Sequence, residues 1–377
     1  MRKKKILFIL NLPPPVYGAN VIGNYIYRSA LINNTFDCEF INLTTAKDVD
    51  EIGKGGLKKL ILCFKVYYNV LLSILKQKHD LCYLTINSKG NAFYKDFIVV
   101  IILKLFRRKI VYHYHNKGVK DGQDNWFLNA CYRFQFHNSQ AILLTSLLYP
   151  DIEKYLPRTS VHICANGIKT IEGLDMNELI KKRDLKKIPQ ILFLSNMMIE
   201  KGVFTVLEAS KLLYDKGITF ETYFIGAPSD IKLEDFNEYV VSNKLQHTVF
   251  YVGKKFGKEK ISYLEQADIF VFPTFYHNET FGLVNLEAMQ YGLPVISTEE
   301  GAIPEIVEDG VTGFIISKKN AFELSSKIEF LIKNPKIRKE MGTNGQKKFK
   351  SLFTLEKFEE NFVQTIQNVI QVNSGPV

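Results

Sequence analysis

Two glutamates, Glu279 and Glu287, flank the start of a predicted helix and carry the strongest chemical signal in the sequence. An apolar strand ends at Pro273, a short polar loop follows, and helical periodicity begins near Phe281. Thr280 belongs to the residue types that cap helix N-termini, so we expect it to be the N-cap. The spacing places Glu287 about 7–9 Å further along the helix.

The end of this helix is suited to binding an anion. The backbone N–H groups of Phe281, Gly282 and Leu283 would lack helical partners, and the helix dipole favours negative charge there. A glycine lets a phosphate approach the backbone closely. A diphosphate bound here would have a glutamate at either end, each able to accept hydrogen bonds from sugar hydroxyls. The spacing is equally compatible with a simple threonine cap and two solvated surface glutamates.

Short apolar runs alternate with amphipathic segments along the whole chain, as in parallel sheets built from βαβ units. Charged residues without a strand pattern fill 166–189, which we expect to connect two domains. Ligands of such sheets bind at the carboxyl ends of the strands, so a charged substrate is expected in a cleft between the domains. The predicted strands span 5–10, 36–42, 81–85, 109–113, 141–144, 190–194, 222–225, 249–252, 269–272, 294–297 and 313–316.

Composition limits the class of protein. The 377 residues are 46% hydrophobic and 23% charged, which is typical of a globular protein of two or three domains. The net charge of +10 suits an anionic partner such as a nucleotide, an acidic membrane or nucleic acid. Five cysteines without a C-x-x-C pair indicate a reducing compartment. Neither a signal peptide nor a transmembrane segment is expected, which predicts a cytoplasmic protein.

Seven motifs follow one another in the order found in the family 4 glycosyltransferases of the GT-B fold, which the chain resembles over nearly its whole length. The resemblance implies an α/β GT-B architecture of two Rossmann-like, doubly wound parallel-sheet domains facing across a cleft. An acceptor-binding domain would span 1–187 and a nucleotide-sugar-binding domain 188–355, with a helix over 356–377 crossing back to the first. The motifs are Pro13-Pro14-Pro15-Val16-Tyr17-Gly18-Ala19, His115-Asn116, Asn166-Gly167-Ile168, Glu200-Lys201-Gly202, Glu279-x7-Glu287, Ala288-Met289-x-x-Gly292-x-Pro294-Val295-Ile296 and Gly301-x-x-Pro304-Glu305-Ile306-Val307-x-Asp309-Gly310-x-x-Gly313-Phe314.

The resemblance also implies roles for the matching residues. Glu279 would hold hydroxyls of the donor sugar, and Glu287 would bind the ribose of the nucleotide. Lys201 would compensate the charge that develops on the departing diphosphate, and Gly18 would close over the phosphates from the other domain. The alternatives are a solvated lysine at position 201 and an ordinary turn glycine at position 18. The residues expected to bind the donor are Gly18, Asn196, Lys201, Thr280, Phe281, Gly282, Leu283 and Glu287.

A histidine and an asparagine complete the expected site. His115 follows an apolar strand, and the family histidine at this position reaches the donor sugar near the reacting carbon. His113 lies on the same face of the strand as His115 and could be the functional histidine instead. Either histidine is also compatible with a buried position in the core. Asn196 occupies the position of a family arginine that binds the diphosphate. Because asparagine carries no charge, Lys201 and the helix end would suffice, or another cation would substitute.

The expected activity is the transfer of a hexose from a UDP- or GDP-sugar donor to a glycan or lipid-linked acceptor in bacterial surface polysaccharide biosynthesis. The resemblance implies retention of anomeric configuration with no bound metal and no other cofactor, and the catalytic residues would be Glu279, His115 and Lys201. The alternatives are a sugar-nucleotide epimerase or hydrolase on the same fold and a non-catalytic nucleotide-binding module. No motif that reads nucleic acid is present, so nucleic acid is not expected as a partner.

A basic apolar segment over 57–78 interleaves five lysines with leucine, isoleucine, valine and aromatic residues, and 101–109 has a similar composition. Basic amphipathic helices can lie at anionic lipid surfaces. The segment is therefore consistent with peripheral contact at the inner face of a membrane. The alternative is a helix that covers the sheet and keeps its lysines in water.

Overall fold

Apolar runs form the strands of two parallel sheets. The computed structural model describes residues 2–14, 18–45 and 57–372. The chain divides into unit 1, which comprises Met1–Asn166 and Leu355–Val377, and unit 2, which comprises Gly167–Thr354. Each unit contains one six-stranded sheet, and the neighbouring strands of both sheets are parallel. These sheets confirm the predicted α/β fold of two Rossmann-like domains.

The strands of unit 1 are β1 (Lys5–Leu10), β2 (Asp37–Asn42), β3 (Leu81–Ile86), β4 (Ile110–Tyr114), β5 (Gln140–Leu143) and β6 (Val161–Ile163). They lie in the order β2-β1-β3-β4-β5-β6. Every residue of β1 from Ile6 to Leu10 is fully buried. A strand covered on both faces must be apolar at successive positions, and this is why the run is continuous rather than alternating.

Helices connect these strands. They are α1 (Gly18–Arg28), α2 (Ala30–Thr35), α3 (Leu57–Lys76), α4 (Gly90–Leu105), α5 (Val119–Gly122) and α6 (Trp126–Phe136). The side chain of Asn125 caps α6 by accepting hydrogen bonds from the backbone N–H groups of Phe127 and Leu128, which would otherwise lack partners.

Unit 2 repeats the alternation of strand and helix. Its sheet has the strands β7 (Gln190–Leu194), β8 (Glu221–Ile225), β9 (Val249–Tyr251), β10 (Ile269–Phe272), β11 (Val295–Thr298) and β12 (Gly313–Ile316) in the order β12-β11-β10-β7-β8-β9. Its helices are α7 (Met176–Asp184), α8 (Val203–Asp215), α9 (Leu233–Ser242), α10 (Gly257–Gln266), α11 (Leu283–Gln290), α12 (Ile303–Ile306), α13 (Ala321–Lys333) and α14 (Pro335–Leu352).

The last helix, α15 (Leu355–Val372), belongs to unit 1. The ring of Phe362 is fully buried, 5.4 Å from the ring of Tyr83 and 6.3 Å from that of Phe8 between centroids. Three further residues of α15 at helical spacing join the same core, so one face of the helix covers the sheet. They are Phe358, Ile366 and Val369.

Unit 2 begins at Gly167, earlier than the domain boundary expected at 188. The helix α7 explains this difference, because its Arg183 is buried within unit 2. The guanidinium donates hydrogen bonds to the backbone carbonyls of Leu264, Glu265 and Tyr291. The charged segment before β7 is therefore attached to unit 2 by a buried cation.

All eleven predicted strands are present, each with ends within one residue of the predicted ones. The strand β6 was not expected, because its three residues are partly exposed and form no continuous apolar run. Within the described ranges, no helix is both long enough and apolar enough to cross a membrane.

Candidate functional site

A short turn after β7 positions Lys201. Residues Ile199–Lys201 form a 3₁₀ turn, and the carbonyl of Glu200 accepts a hydrogen bond of 2.7 Å from the backbone N–H of Phe275. The hydroxyl of Thr274 donates to the same carbonyl. These bonds attach the turn to the loop that follows β10, so Lys201 and that loop are held together.

The glycine after Lys201 is required by this close approach. Gly202 has a φ of 87°, and a Cβ atom at this position would lie 2.3 Å from the carbonyl oxygen of Pro273. Any other residue would pay for a left-handed backbone and a collision with main chain. The Lys-Gly pair therefore brings the lysine close to the end of β10.

Lys201 forms an ion pair with Glu279. The distance between Lys201 Nζ and Glu279 Oε2 is 2.6 Å, and the two side chains are only 15% and 13% exposed. The ammonium also lies 4.3 Å from the centroid of the Tyr276 ring, which attracts cations. Lys201 is thus not a solvated surface lysine.

The backbone at Glu279 is held by a second glycine. A Cβ atom on Gly301 would lie 2.5 Å from the carbonyl oxygen of Glu279 and 2.6 Å from that of Thr280, and its φ is 55°. The next residue, Ala302, donates its backbone N–H to the Thr280 carbonyl. The loop after β11 therefore packs directly on the chain segment that carries the glutamate.

The predicted N-cap at Thr280 is wrong. The helix α11 begins at Leu283, and Gly282 is its N-cap with a φ of 75° and no side-chain capping bond. The left-handed backbone of Gly282 separates Thr280 from the helix, and Thr280 is buried beneath the loop after β11. The unpaired helical N–H groups thus start at Leu283, and Phe281 precedes the helix with its ring packed on Phe353.

The N-terminus of α11 also covers a buried amide side chain. Asn285 is fully buried, and neither its side-chain oxygen nor its nitrogen has a hydrogen-bond partner among the described residues. A Cβ atom on Gly282 would lie 2.7 Å from Asn285 Nδ2. The side-chain amide of Asn285 therefore packs against Gly282 at the N-terminus of α11.

Glu287 lies on α11 one turn beyond Leu283. Both of its carboxylate oxygens accept hydrogen bonds from Lys260 Nζ on α10, at 3.0 and 2.9 Å. The carboxylate is half-buried, which leaves it accessible to a further donor. Asn196, by contrast, is exposed beyond the end of β7, where its carbonyl accepts a hydrogen bond from the Met198 backbone.

Two histidines of unit 1, His113 and His115, lie at the carboxyl end of β4. His113 is fully buried and its Nδ1 is 2.6 Å from the hydroxyl of Tyr83. His115 is half-buried, with its ring centroid 4.2 Å from that of His113. Burial lowers the pKa of His115 to about 4, and burial together with the neighbouring His115 lowers the pKa of His113 well below its usual value. Both rings are thus neutral at pH 7, with His113 in the core and His115 at the strand end.

Gly18 is exposed and is the first residue of α1. Residues 15–17 of the predicted glycine loop lie outside the described residues. The expected site residues are therefore divided between the units. Unit 2 brings together Lys201, Glu279 and the start of α11, with Glu287 one turn along, whereas Gly18 and His115 belong to unit 1.

Four residues near these groups were not expected from sequence. Tyr276 and Asn285 lie in the stretch between Pro273 and Met289, but their types alone indicate no role. Lys260 meets Glu287 from another helix, and Tyr83 meets His113 from the neighbouring strand. Of these contacts, only that of Tyr83 with His113 could have been predicted, because polar groups on adjacent buried strands need hydrogen-bond partners.

Solved structures of known proteins share this fold. Sucrose-phosphate synthase from Thermosynechococcus elongatus is similar with a TM-score of 0.73 and 17% sequence identity, over 98% of this chain and 100% of that one. HepE of Anabaena in complex with UDP-glucose is similar with a TM-score of 0.68 and 18% identity, over 97% and 99% of the two chains. The protein therefore has the GT-B fold.

Most of unit 2 also matches a known protein family in sequence. Residues 175–348 match the family described as Glycosyl transferases group 1. The capsular polysaccharide biosynthesis glycosyltransferase CapM of Staphylococcus aureus is 28% identical over 214 residues, which are 56% of this chain and 55% of that protein. The chain thus spans about half the length of the curated relatives it matches.

Proposed function

We propose that the protein is a glycosyltransferase that transfers a hexose from a UDP- or GDP-sugar to a glycan or lipid-linked acceptor. The observation that carries this proposal is the Lys201–Glu279 ion pair beside the uncapped N-terminus of α11, within the segment that matches the glycosyl transferases group 1. A diphosphate at this helix end is attracted by the helix dipole and by Lys201. Glu279 is then released to accept hydrogen bonds from the donor sugar.

The nucleotide end of the donor extends along α11. Glu287 binds the ribose hydroxyls, and its position one turn beyond Leu283 suits the length of a diphosphate and ribose. An ionised carboxylate accepts about four hydrogen bonds. Glu287 therefore keeps its bonds to Lys260 while it accepts those of the ribose.

The reaction proceeds with retention and without a bound metal. In other transferases a metal ion balances the charge of the leaving diphosphate; here Lys201 and the dipole of α11 supply positive charge. A covalent intermediate needs a carboxylate within reach of the anomeric carbon, and we assign Glu279 instead to hydrogen bonds with the hydroxyls of the donor sugar. We therefore favour attack on the face from which the nucleotide departs. Detection of a glycosyl-enzyme adduct on any Asp or Glu by mass spectrometry would contradict this mechanism.

Similarity to a capsular polysaccharide enzyme supports a role in bacterial surface polysaccharide biosynthesis. All five cysteines are unpaired in the structure, which supports a reducing, cytoplasmic location. The acceptor is then a growing glycan or a lipid-linked sugar.

A thermal-shift screen against UDP- and GDP-sugars tests the proposal. We expect one nucleotide family to raise Tm, because a ligand that binds the folded state stabilises it. Glu287→Ala removes the ribose contact and abolishes the shift. Glu259→Ala is a matched control, because it removes an exposed glutamate that is also paired with a lysine, Lys255. Stabilisation by no nucleotide sugar, or an equal shift in the Glu287 variant, would overturn the proposal.

A further inference from the structure

The helix α3 exposes large apolar side chains on the side that does not face the sheet. Its residues Val66, Val70 and Ile74 lie on the opposite side and are buried, as expected for a helix that covers a sheet. A second apolar set on the same helix is exposed, and Phe64 is the most accessible of these at 68%. The exposed set comprises Leu60, Ile61, Leu62, Phe64, Tyr68, Leu72 and Leu75.

The neighbouring helices continue this apolar surface. The hydroxyl of Tyr67 on α3 donates to the carbonyl of Lys95 on α4, and the rings of Tyr94 on α4 and Phe127 on α6 lie 6.3 Å apart. The exposed apolar residues of these two helices are Tyr94, Ile98, Leu105, Trp126, Phe127 and Phe134. We refer to the exposed residues of α3, α4 and α6 as the outer helical face.

The charge of the outer helical face is entirely positive. Asp96 is the single acidic residue in the three helices, and it is fully buried. Its carboxylate accepts hydrogen bonds from the backbone and side chain of Asn87. Lys65, Lys76 and Arg133 are exposed among the apolar residues, so the face combines large apolar side chains with cations and presents no carboxylate of its own.

We propose that the outer helical face binds the surface of an anionic lipid bilayer. Its lysines and arginine attract negatively charged headgroups, and its exposed aromatic and aliphatic side chains enter the boundary between headgroups and acyl chains. A second copy of this chain is a poorer partner, because face-to-face pairing would bring cations against cations. The proposal depends on unit 1 alone and is independent of the donor chemistry assigned to unit 2.

The chain contains a single tryptophan, Trp126, which is 80% exposed on the outer helical face. Its fluorescence therefore reports directly on this surface. We expect the emission of the full-length protein to shift to shorter wavelength with vesicles that contain phosphatidylglycerol, and to be unchanged with pure phosphatidylcholine vesicles. Raising the salt concentration to about 0.5 M should reverse much of the shift, because the attraction is screened.

Variants separate the apolar contribution from the electrostatic one. Phe64→Ser with Leu75→Ser removes exposed apolar area, and Lys65→Glu with Lys76→Glu reverses exposed charge. Each double variant should weaken vesicle binding by at least about tenfold. Matched controls in unit 2 are Phe322→Ser, at a residue that is 67% exposed, and Lys336→Glu, also at an exposed residue; neither should change binding. The thermal response to nucleotide sugars should persist in all variants, which distinguishes this proposal from the proposed activity.

Three results would overturn the proposal. The first is no emission shift and no co-sedimentation with anionic vesicles at low salt. The second is equal binding to neutral and anionic vesicles. The third is a stable dimer in sedimentation velocity that the Phe64 and Leu75 double variant dissociates, which would show that a second copy covers this face.

Discussion

Lys201 Nζ lies 2.6 Å from Glu279 Oε2, so the cation that we expect to bind the diphosphate and the carboxylate that we expect to bind the sugar neutralise each other. Both side chains are mostly withdrawn from solvent, where an ion pair is screened less than at the surface. A phosphate that draws Lys201 away leaves Glu279 ready to accept hydrogen bonds. We therefore expect diphosphate binding and sugar binding to be coupled through this one contact.

The first prediction concerns this pair. Lys201→Met and Glu279→Gln should each lower kcat/KM by about 10²–10³, because each removes charge next to the developing diphosphate or sugar. The double variant should lose less than the product of the two single losses, since either single change leaves the other group uncompensated. Initial rates with the donor found by thermal shift provide the measurement.

The control for this prediction is Lys211→Met. Lys211 pairs with Asp215 on the exposed surface of α8 in the same unit, and removal of such a pair has little effect. If the losses at Lys201 and Glu279 were strictly multiplicative in the double variant, the two residues would act independently and the proposed coupling would be wrong.

The second prediction concerns the glycine that supports Glu279. Gly301→Ala should lower the free energy of unfolding by more than the about 1–2 kcal/mol that a left-handed alanine costs, because its Cβ would also collide with the carbonyl oxygens of Glu279 and Thr280. Relief of that collision displaces Glu279, so donor binding should weaken as well. Chemical denaturation and the nucleotide thermal shift measure the two effects.

Gly217→Ala isolates the backbone contribution. Gly217 has a φ of 70°, and no atom lies within 4 Å of a Cβ built there. Its alanine variant should show the backbone cost alone and unchanged donor binding. Equal destabilisation of the two variants would show that the loop after β11 moves away without consequence for Glu279.

The strands were predictable because they are buried on both faces, and a continuous apolar run has few alternative explanations. The edge strand β6 was not predictable, because it has only three residues and they are partly exposed. The domain boundary was misplaced for a related reason. A polar segment normally indicates a linker, but α7 carries a buried arginine whose partners are main-chain carbonyls, and main-chain carbonyls leave no sequence pattern.

The site was predictable where residue type and local spacing decide, as for Glu279 and Glu287 on either side of a helix start. It was not predictable where distant segments meet. Thr280 has the better capping side chain, yet the left-handed Gly282 starts the helix later because the loop after β11 occupies the carbonyl of Thr280. The contact of Lys260 with Glu287 likewise depends on how two helices pack.

The third prediction concerns pH. Burial lowers the pKa of His115 to about 4 in the folded protein, against about 6.5 in an unfolded chain. The unfolded state therefore binds the proton first as the pH falls, so the stability contributed by the neutral ring is complete above about pH 6.5 and is lost towards pH 4. His115→Asn should show a shallower decrease of Tm between pH 7.5 and pH 5 than the unaltered protein.

The slope is the readout for this variant, because a change of Tm at one pH would also follow from altered packing. His247→Asn replaces an exposed histidine in unit 2 and should leave the slope unchanged. Tyr83→Phe tests the neighbouring ring, because it removes the hydroxyl that lies 2.6 Å from His113 Nδ1. An unchanged slope in His115→Asn would show that His115 is not held neutral by burial.

The fourth prediction concerns the packing of the last helix, α15, on the sheet of unit 1. Phe362 on α15 is fully buried, with its ring 5.4 Å from Tyr83 and 5.7 Å from Phe358 between centroids. Phe362→Ala should lower the free energy of unfolding by about 3–5 kcal/mol, because it leaves a cavity between α15 and the sheet. Phe322→Ala, at an exposed position of unit 2, should cost less than about 0.5 kcal/mol. Similar values for both variants in urea denaturation would show that α15 does not complete the core of unit 1.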